Sequence, residues 1–289
     1  MSTTFLQDEE QETAPQALPA GVSRSFSRPR QTRAPRQTST RLLTIVPPLL
    51  LGVILLLSWY ASTAGGSVPA YQLPGPIAVW NALWDGLTSG LFVSNAWVTI
   101  QESLGGFLLA MIIALPIGYS LVKWRLFAAT VQPYLAAGQA VPAIVLAPFL
   151  VLWLGYGIEP VVVLCTLVVL FPMVITTSLG FQTIDASLTD SARVEGASFW
   201  PMLTRIELPL ALPAIMAAVR TGLTLSIVGA LVGEFVNASD QGLGALVQVA
   251  RNEYNAPLMF ATVVIMAFLA AFFYGISRGL TMLSEKISS

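Results

Sequence analysis

The sequence of 289 residues contains no histidine and only one cysteine, Cys165. Histidine is the commonest general base and metal ligand near neutral pH, so its absence counts against a membrane hydrolase or a metalloprotease. A single cysteine within an apolar run excludes an intrachain disulfide and a cysteine-based metal site. The sequence also lacks the pattern G-x-x-x-x-G-K-[ST], so the chain cannot bind ATP through that phosphate loop. We therefore expect no catalytic residue, no metal and no directly bound cofactor.

Charged residues are scarce too. They make up 10% of the chain, whereas hydrophobic residues make up 55%, a balance far too apolar for a soluble domain of this size. About 20 apolar residues in a helix cross the roughly 30 Å hydrocarbon core of a bilayer. The sequence thus predicts an all-α membrane protein with six transmembrane helices, at residues 42–60, 95–121, 134–154, 159–180, 210–233 and 257–280.

Residues 1–40 differ in composition from the rest, being rich in Ser, Thr, Gln, Pro and Arg. Such a segment cannot bury enough apolar surface to become ordered. No apolar core follows Met1 at the distance typical of a cleavable signal peptide. We interpret residues 1–40 as a disordered cytoplasmic tail and 41–289 as the six-span domain, and we favour a topological role for the tail arginines over binding to nucleic acid or lipid.

The distribution of positive charge predicts the orientation. Of the 14 lysines and arginines, all except Arg220 and Arg251 fall on one predicted face. Because lysine and arginine are enriched on the cytoplasmic side of membrane proteins, both termini and the loop at residues 181–208 are predicted to lie in the cytoplasm.

A few polar features fall within or beside the apolar segments. Pro142 and Pro148 in the third span open the hydrogen-bond ladder, which indicates either a helix beside a pore or a merely kinked helix. Glu102 and Glu234 carry charges that are costly in hydrocarbon, so each is expected to face the protein interior or the interface. Residues 233–244 are predicted to be irregular. Candidate residues of a substrate path are Trp153, Glu234 and Asn237, and the alternative is a simple interfacial loop.

The loop at residues 181–208 is a polar island between apolar segments. Asp185 or Thr189 can cap the start of a helix, and Gly196 can adopt the positive φ at which that helix stops. Ser198 can cap a second helix, with Pro201 in its first turn, where a missing N–H is tolerated. The sequence predicts two short helices joined at Gly196.

The residues Asp190-Ser191-Ala192, then Gly196, then Ile206-x-Leu208-Pro209 resemble the loop E-A-A-x3-G-x9-I-x-L-P of bacterial ABC-importer permeases. Asp190 replaces Glu and Ser191 replaces Ala, and both replacements keep the charge or the small volume. The resemblance implies a coupling helix that docks on a separate ATPase subunit, and the alternative is an ordinary connecting loop. The implied ATPase-coupling residues are Asp190, Ser191, Ala192, Arg193, Gly196, Ala197, Ile206 and Pro209.

Other segments of the chain narrow the resemblance to one family of importers. The segments 142–148 and 233–235 are similar to permeases of the nitrate, sulfonate and taurine importer family, and 233–236, 242–244 and 257–261 are similar to its branch for riboflavin or pyrimidine thiamine precursors. The resemblance implies a permease of the bacterial cytoplasmic membrane that works with a second permease copy, a cytoplasmic ATPase and an extracytoplasmic substrate-binding protein. Sulfonate, taurine or nitrate remain alternative cargoes.

An ion-gradient-driven secondary transporter is the rival class. Such transporters usually have carboxylates near the middle of the membrane and often an inverted internal repeat. The sequence shows neither, so we favour the ATP-driven importer.

Overall fold

The computed structural model describes residues 40–66, 68–237 and 241–288, with the side chains of 46–66, 68–237 and 241–279. The tail expected at residues 1–40 therefore lies, except for Thr40, outside the described part. The chain divides into two units between residues 50 and 51, inside the first helix, and the second unit holds all the later helices. Throughout the described ranges the regular elements are helices, which confirms the all-α prediction.

The helices follow one another with short connections. A five-residue π-helical turn, Leu203–Glu207, joins α8 to α9. The helices are α1 Thr40–Ala64, α2 Pro76–Thr88, α3 Leu91–Lys123, α4 Arg125–Ala140, α5 Ala143–Leu154, α6 Ile158–Gln182, α7 Ala186–Val194, α8 Phe199–Met202, α9 Leu208–Asn237, α10 Leu243–Asn252 and α11 Ala256–Ser288.

Within the described part of the chain, five helical segments are long and apolar enough to cross a membrane: Val46–Ala64, Leu91–Lys123, Ile158–Gln182, Phe199–Asn237 and Ala256–Gly279. The pair α4 and α5 supplies a sixth span if it counts as one, but its two helices meet at 98°. The bend lies at Val141-Pro142, where Val141 is extended with φ −79° and ψ 120°. A residue before proline is driven out of the helical region by the proline ring, so the third predicted span is two helices with a sharp bend.

Two predictions about the segments around the fifth span are wrong. The helix that starts at Phe199 is not short, because it continues through the π-helical turn into α9 and ends at Asn237. The π-helical turn shifts the hydrogen-bond ladder by one residue just before Pro209, which supplies no N–H. Residues 233–237, predicted to be irregular, are helical, and 238–240 lie outside the described residues.

Glycines set the close packing of α3, α6 and α9. A Cβ atom on Gly106 of α3 would lie 2.2 Å from Cβ of Cys165 in α6, and one on Gly180 of α6 would lie 2.4 Å from Cβ of Ala214 in α9. In lipid, an apolar surface gains little from contacting another helix instead of lipid tails, so small residues that allow two helices to approach closely hold such bundles together. These three helices form the centre of the bundle, with a core that includes Phe107, Val169, Met173 and Ile227.

Candidate functional site

The first candidate site is the loop between α6 and α9. Asp185 begins α7, because its Oδ1 accepts the backbone N–H of Ser187 at 2.9 Å, and this hydrogen bond holds the pKa of Asp185 below its usual range. Of the two predicted caps, Asp185 is therefore the one used. Gly196 ends the helix with φ +85°. The N–H groups of Gly196 and Ala197 donate to the carbonyls of Arg193 at 3.0 Å and Ala192 at 2.9 Å, the two bonds of a Schellman motif.

The loop presents both charge and apolar surface to its surroundings. Asp190 and Arg193 form an exposed ion pair at 3.3 Å. The side chains of Val194 and Trp200 are 89% and 69% exposed. Large apolar side chains that protrude from a polar loop are typical of a surface that another protein covers.

The structure brings together only some of the predicted coupling residues. The side chain of Ala192 is buried, Ala197 and Ile206 are half-buried, and the others lie on the surface: Asp190, Ser191, Arg193, Gly196 and Pro209. Asp190, Ser191, Ala192 and Arg193 share the short helix α7, whereas Ile206 and Pro209 flank the end of the π-helical turn.

A buried carboxylate anchors the base of this loop, and the sequence analysis missed it. Glu207, the last residue of the π-helical turn, is 2% exposed. It forms an ion pair with Nζ of Lys123 and accepts a hydrogen bond from the hydroxyl of Tyr119 at 2.9 Å, both at the end of α3. The spacing of Tyr119 and Lys123 by one helical turn was the available signal, because residues four apart share a helix face.

A second polar cluster lies at the opposite ends of the same helices, where α10 begins. Asn95 Oδ1 accepts the N–H of Gly242 at 2.8 Å, and Thr99 Oγ1 accepts the N–H of Leu243 at 3.0 Å. Glu234 Oε2 accepts the N–H of Gly244 at 2.6 Å, and Thr99 donates to the other oxygen of Glu234 at 2.5 Å. Side chains of α3 and α9 thus satisfy three N–H groups at the start of α10, which have no partner within that helix.

Glu102 belongs to the same cluster. Its carboxyl group lies close to that of Glu234, and its Oε2 has no hydrogen-bond partner among the described residues. Both side chains are buried, as expected for charges within the spans.

The candidate substrate-path residues occupy different environments. Glu234 is fully buried and hydrogen-bonded, and buried Asn237 donates to the carbonyl of Gly157 at 2.8 Å. Trp153, near the end of α5, is 72% exposed. Glu234 and Asn237 therefore lie in the polar end of the bundle, whereas Trp153 lies on its surface. Within the described ranges no group of three or more metal-ligating side chains comes together.

Comparison with known proteins decides the family. The model of the binding-protein-dependent transport system inner membrane component matches residues 106–281. The chain is also 39% identical over 222 residues to the riboflavin transport system permease protein RibX of Chloroflexus aurantiacus, covering 77% of this chain and 82% of that protein. The protein belongs to this family of inner-membrane permease components. It is the permease subunit of an ABC importer and a multi-pass protein of the cytoplasmic membrane.

Further relatives agree with this assignment. The formylaminopyrimidine transport permease protein ThiX of Halalkalibacterium halodurans is 28% identical over 222 residues, covering 77% of this permease and 88% of the relative. An inward-facing form of the MetNI methionine ABC transporter has a chain of the same fold, with a TM-score of 0.60 and 20% identity over 68% of this permease and 97% of that chain. A permease of this family is a transport subunit and not an enzyme.

Proposed function

We propose that this permease imports riboflavin or a pyrimidine precursor of thiamine, driven by a separate cytoplasmic ATPase and supplied by an extracytoplasmic binding protein. The observation that carries the cargo is the sequence identity with the riboflavin permease, which extends over most of both chains. The acidic and basic side chains that are buried among the described residues are all carboxylates, namely Glu102, Glu207 and Glu234, which favours a cargo without negative charge over a sulfonate or nitrate.

The loop at residues 181–208 is the proposed docking site for the ATPase, which places it in the cytoplasm. Exposed Asp190 and Arg193 on α7 offer charged contacts, and Val194 and Trp200 offer apolar ones. The Schellman motif at Gly196 fixes the angle between α7 and the helix that follows. ATP acts here only through the partner subunit. An ATPase that closes on this surface can shift the conformation of the permease only if it binds one conformation more tightly.

A second copy of the permease completes the proposed transporter. The bent pair α4 and α5 supports this, because α5 exposes apolar residues that include Phe149, Leu152 and Trp153. We propose that Trp153 lies on the substrate path. Glu234 and Asn237 are closed off by α10 and Gly157 in this structure, so they would reach a substrate only after α10 has moved.

Co-purification tests the coupling site. The detergent-solubilised permease is isolated from its host as wild type, as Gly196→Pro with Asp190→Lys, and as Asp85→Lys. Asp85 is an exposed acid on α2, which packs at the other end of the bundle, so this variant makes the same charge change away from the loop. We expect the ATPase with wild type and with Asp85→Lys but not with the loop variant. Equal recovery of the ATPase with all three forms would contradict docking at this loop.

Uptake tests the cargo and the energy source. Proteoliposomes that contain the captured complex and its binding protein are assayed with radiolabelled riboflavin, with and without internal ATP, and with unlabelled formylaminopyrimidine or taurine as competitor. We expect uptake that needs ATP and is reduced by the pyrimidine. Uptake of radiolabelled taurine without uptake of riboflavin would identify an anion importer, and uptake driven by an ion gradient without ATP would contradict the proposal.

A further inference from the structure

Helix α3 joins the two polar clusters described above, although the chain does not connect it directly to the loop at residues 181–208. That loop continues covalently only into α6 and α9. We propose that Glu207 is a positioning residue that locks the loop to α3 through Lys123 and Tyr119, so that α3 carries movement of the loop to α10. This inference rests on the proposed docking of an ATPase on the loop.

The contacts at the loop end are specific in geometry. Glu207 binds the ammonium group of Lys123 and the hydroxyl of Tyr119 at once, and Nζ of Lys123 also lies 5.4 Å from the centre of the Tyr119 ring. A carboxylate held by two donors on successive turns of one helix is fixed both along and around that helix. A shift of α3 by a single residue would break both contacts.

The ring of Tyr119 extends this link to the neighbouring elements. It packs edge-on against Phe181 at the end of α6, with 5.0 Å between ring centres, and against Phe199 at the start of α8, at 6.3 Å. The end of α3 therefore lies against both the entry and the exit of the loop. Any displacement of the loop must either carry α3 along or separate these contacts.

Stability alone does not explain a buried carboxylate at this place, where the side chain of its partner Lys123 stays 26% exposed. Removing a charge from water costs several kcal/mol, and replacing a buried ion pair by well-packed apolar residues is often neutral or stabilising. What the pair provides is one defined register between α3 and the π-helical turn. The turn itself supports a functional role, because π-helical insertions are frequently found at functional sites.

The other end of α3 is attached just as firmly. The helix has 33 residues, a length of about 50 Å at 1.5 Å per residue. Asn95 and Thr99 in its first turns accept the N–H groups of Gly242 and Leu243, which begin α10. Movement of α3 along its axis therefore pulls on the start of α10, on the face opposite the loop.

Cysteine labelling of α10 measures this transmission without knowledge of the cargo. Asn252 is exposed at the end of α10, whereas the native Cys165 is buried, so Asn252→Cys adds one reactive thiol and the parent chain serves as the blank. The complex of permease and ATPase is reconstituted in proteoliposomes. The rate of labelling by a membrane-impermeant maleimide is measured without nucleotide and with ATP plus vanadate.

In the Asn252→Cys chain with Glu207 intact, we expect nucleotide to change the labelling rate at least about fivefold, the lower end of typical coupling between distant sites. Glu207→Gln and Lys123→Met should each abolish most of this change while the ATPase still co-purifies. Tyr119→Phe, which keeps the ring and the ion pair, should reduce it partly. The exchange Lys123→Glu with Glu207→Lys should restore it in part. Glu159→Gln is the matched control, because Glu159 is an exposed glutamate at the opposite end of the bundle.

The outcomes separate the two proposals. If the ATPase does not co-purify with the intact permease, the proposed function fails. If the ATPase binds but nucleotide leaves the labelling rate of the intact permease unchanged, or if Glu207→Gln responds as fully as Glu159→Gln, transmission through α3 is refuted. Should Glu207→Gln fail to assemble, Tyr119→Phe and the charge exchange decide the question in the same way.

Discussion

The close contact between α3 and α6 makes a quantitative prediction, because two adjacent glycines differ in what a methyl group would meet. A Cβ on Gly106 would lie 2.2 Å from Cβ of Cys165 and 2.8 Å from the carbonyl oxygen of Val162. A Cβ on Gly105 would lie 3.4 Å from Cγ2 of Val162, an ordinary van der Waals distance. Gly105→Ala is therefore a control with the same chemistry in the same turn of helix.

The two substitutions should change stability in opposite directions. Replacing glycine by alanine inside a helix favours folding by up to about 1 kcal/mol. Overpacking a close contact typically costs about 1–3 kcal/mol, and the upper part of that range applies at Gly106 because the backbone of α6 cannot rotate away as a side chain can. We expect Gly106→Ala to lower the free energy of unfolding by about 2 kcal/mol after the helical gain is included. Gly105→Ala should be neutral or slightly stabilising.

Thermal unfolding in detergent measures the difference. Cys165 is buried and is the only cysteine, so a thiol-reactive fluorescent maleimide reports unfolding as the thiol becomes accessible. Because Gly106 contacts Cys165, far-UV circular dichroism is needed as a second probe of the same transition. At about 2–4 °C per kcal/mol, Gly106→Ala should unfold about 4–8 °C below wild type. Equal melting temperatures for the two alanine variants by both probes would refute the close packing of α3 on α6.

Three further predictions follow from the loop and the polar cluster. Thr99→Val keeps the shape of the side chain but leaves the N–H of Leu243 without its acceptor, at a cost of about 1–3 kcal/mol. Hydrogen exchange of the first amides of α10 should therefore accelerate, while exchange in α6 stays unchanged. The added methyl group of Gly196→Ala would meet no atom within 4 Å, but the residue must adopt φ +85°, so this variant should cost about 1–2 kcal/mol of stability and weaken co-purification of the ATPase. Gly52→Ala is the control, because its methyl group also meets no atom within 4 Å, and it should leave co-purification unchanged. The carboxyl group of Asp185 has a pKa below its unfolded value, so its contribution to stability is complete above that unfolded value of about 4. This contribution is lost as the pH falls through the lower folded pKa. Hydrogen exchange of the Ser187 amide should follow this course, and Asp185→Asn should remove the pH dependence.

The sequence predicted features that rest on local physical chemistry. The loop at residues 181–208 is the clearest case, because capping by Asp185 and termination at Gly196 depend on neighbours a few residues away. The helical class and most of the spans were predictable as well, because apolar length alone decides them. Burial of Glu102 and Glu234 followed from the cost of charge in hydrocarbon.

Features that depend on contacts between distant residues were not predictable from one sequence. Glu102 and Glu234 were each recognised as intramembrane acids, but nothing in the spacing shows that they meet. Glu207 appeared only as the variable position of Ile206-x-Leu208. Pro142 predicted an interruption, and the alternatives of a pore-lining or a kinked helix did not include a bend of 98°. The π-helical turn that joins the loop to α9 also left no signal in the sequence.

Glycines and buried carboxylates hold this bundle together in different ways, and their variants should therefore fail differently. Glycines such as Gly106 set how closely two helices approach, but apolar surfaces in lipid have little preference for one register over another. Glu207 and Glu234 accept hydrogen bonds that exist in a single register, so they fix the position of α3 relative to α9 at both ends of the bundle. Changes at the glycines should thus appear mainly in the melting temperature. Changes at Glu207 should also appear in how far a movement of the loop reaches α10.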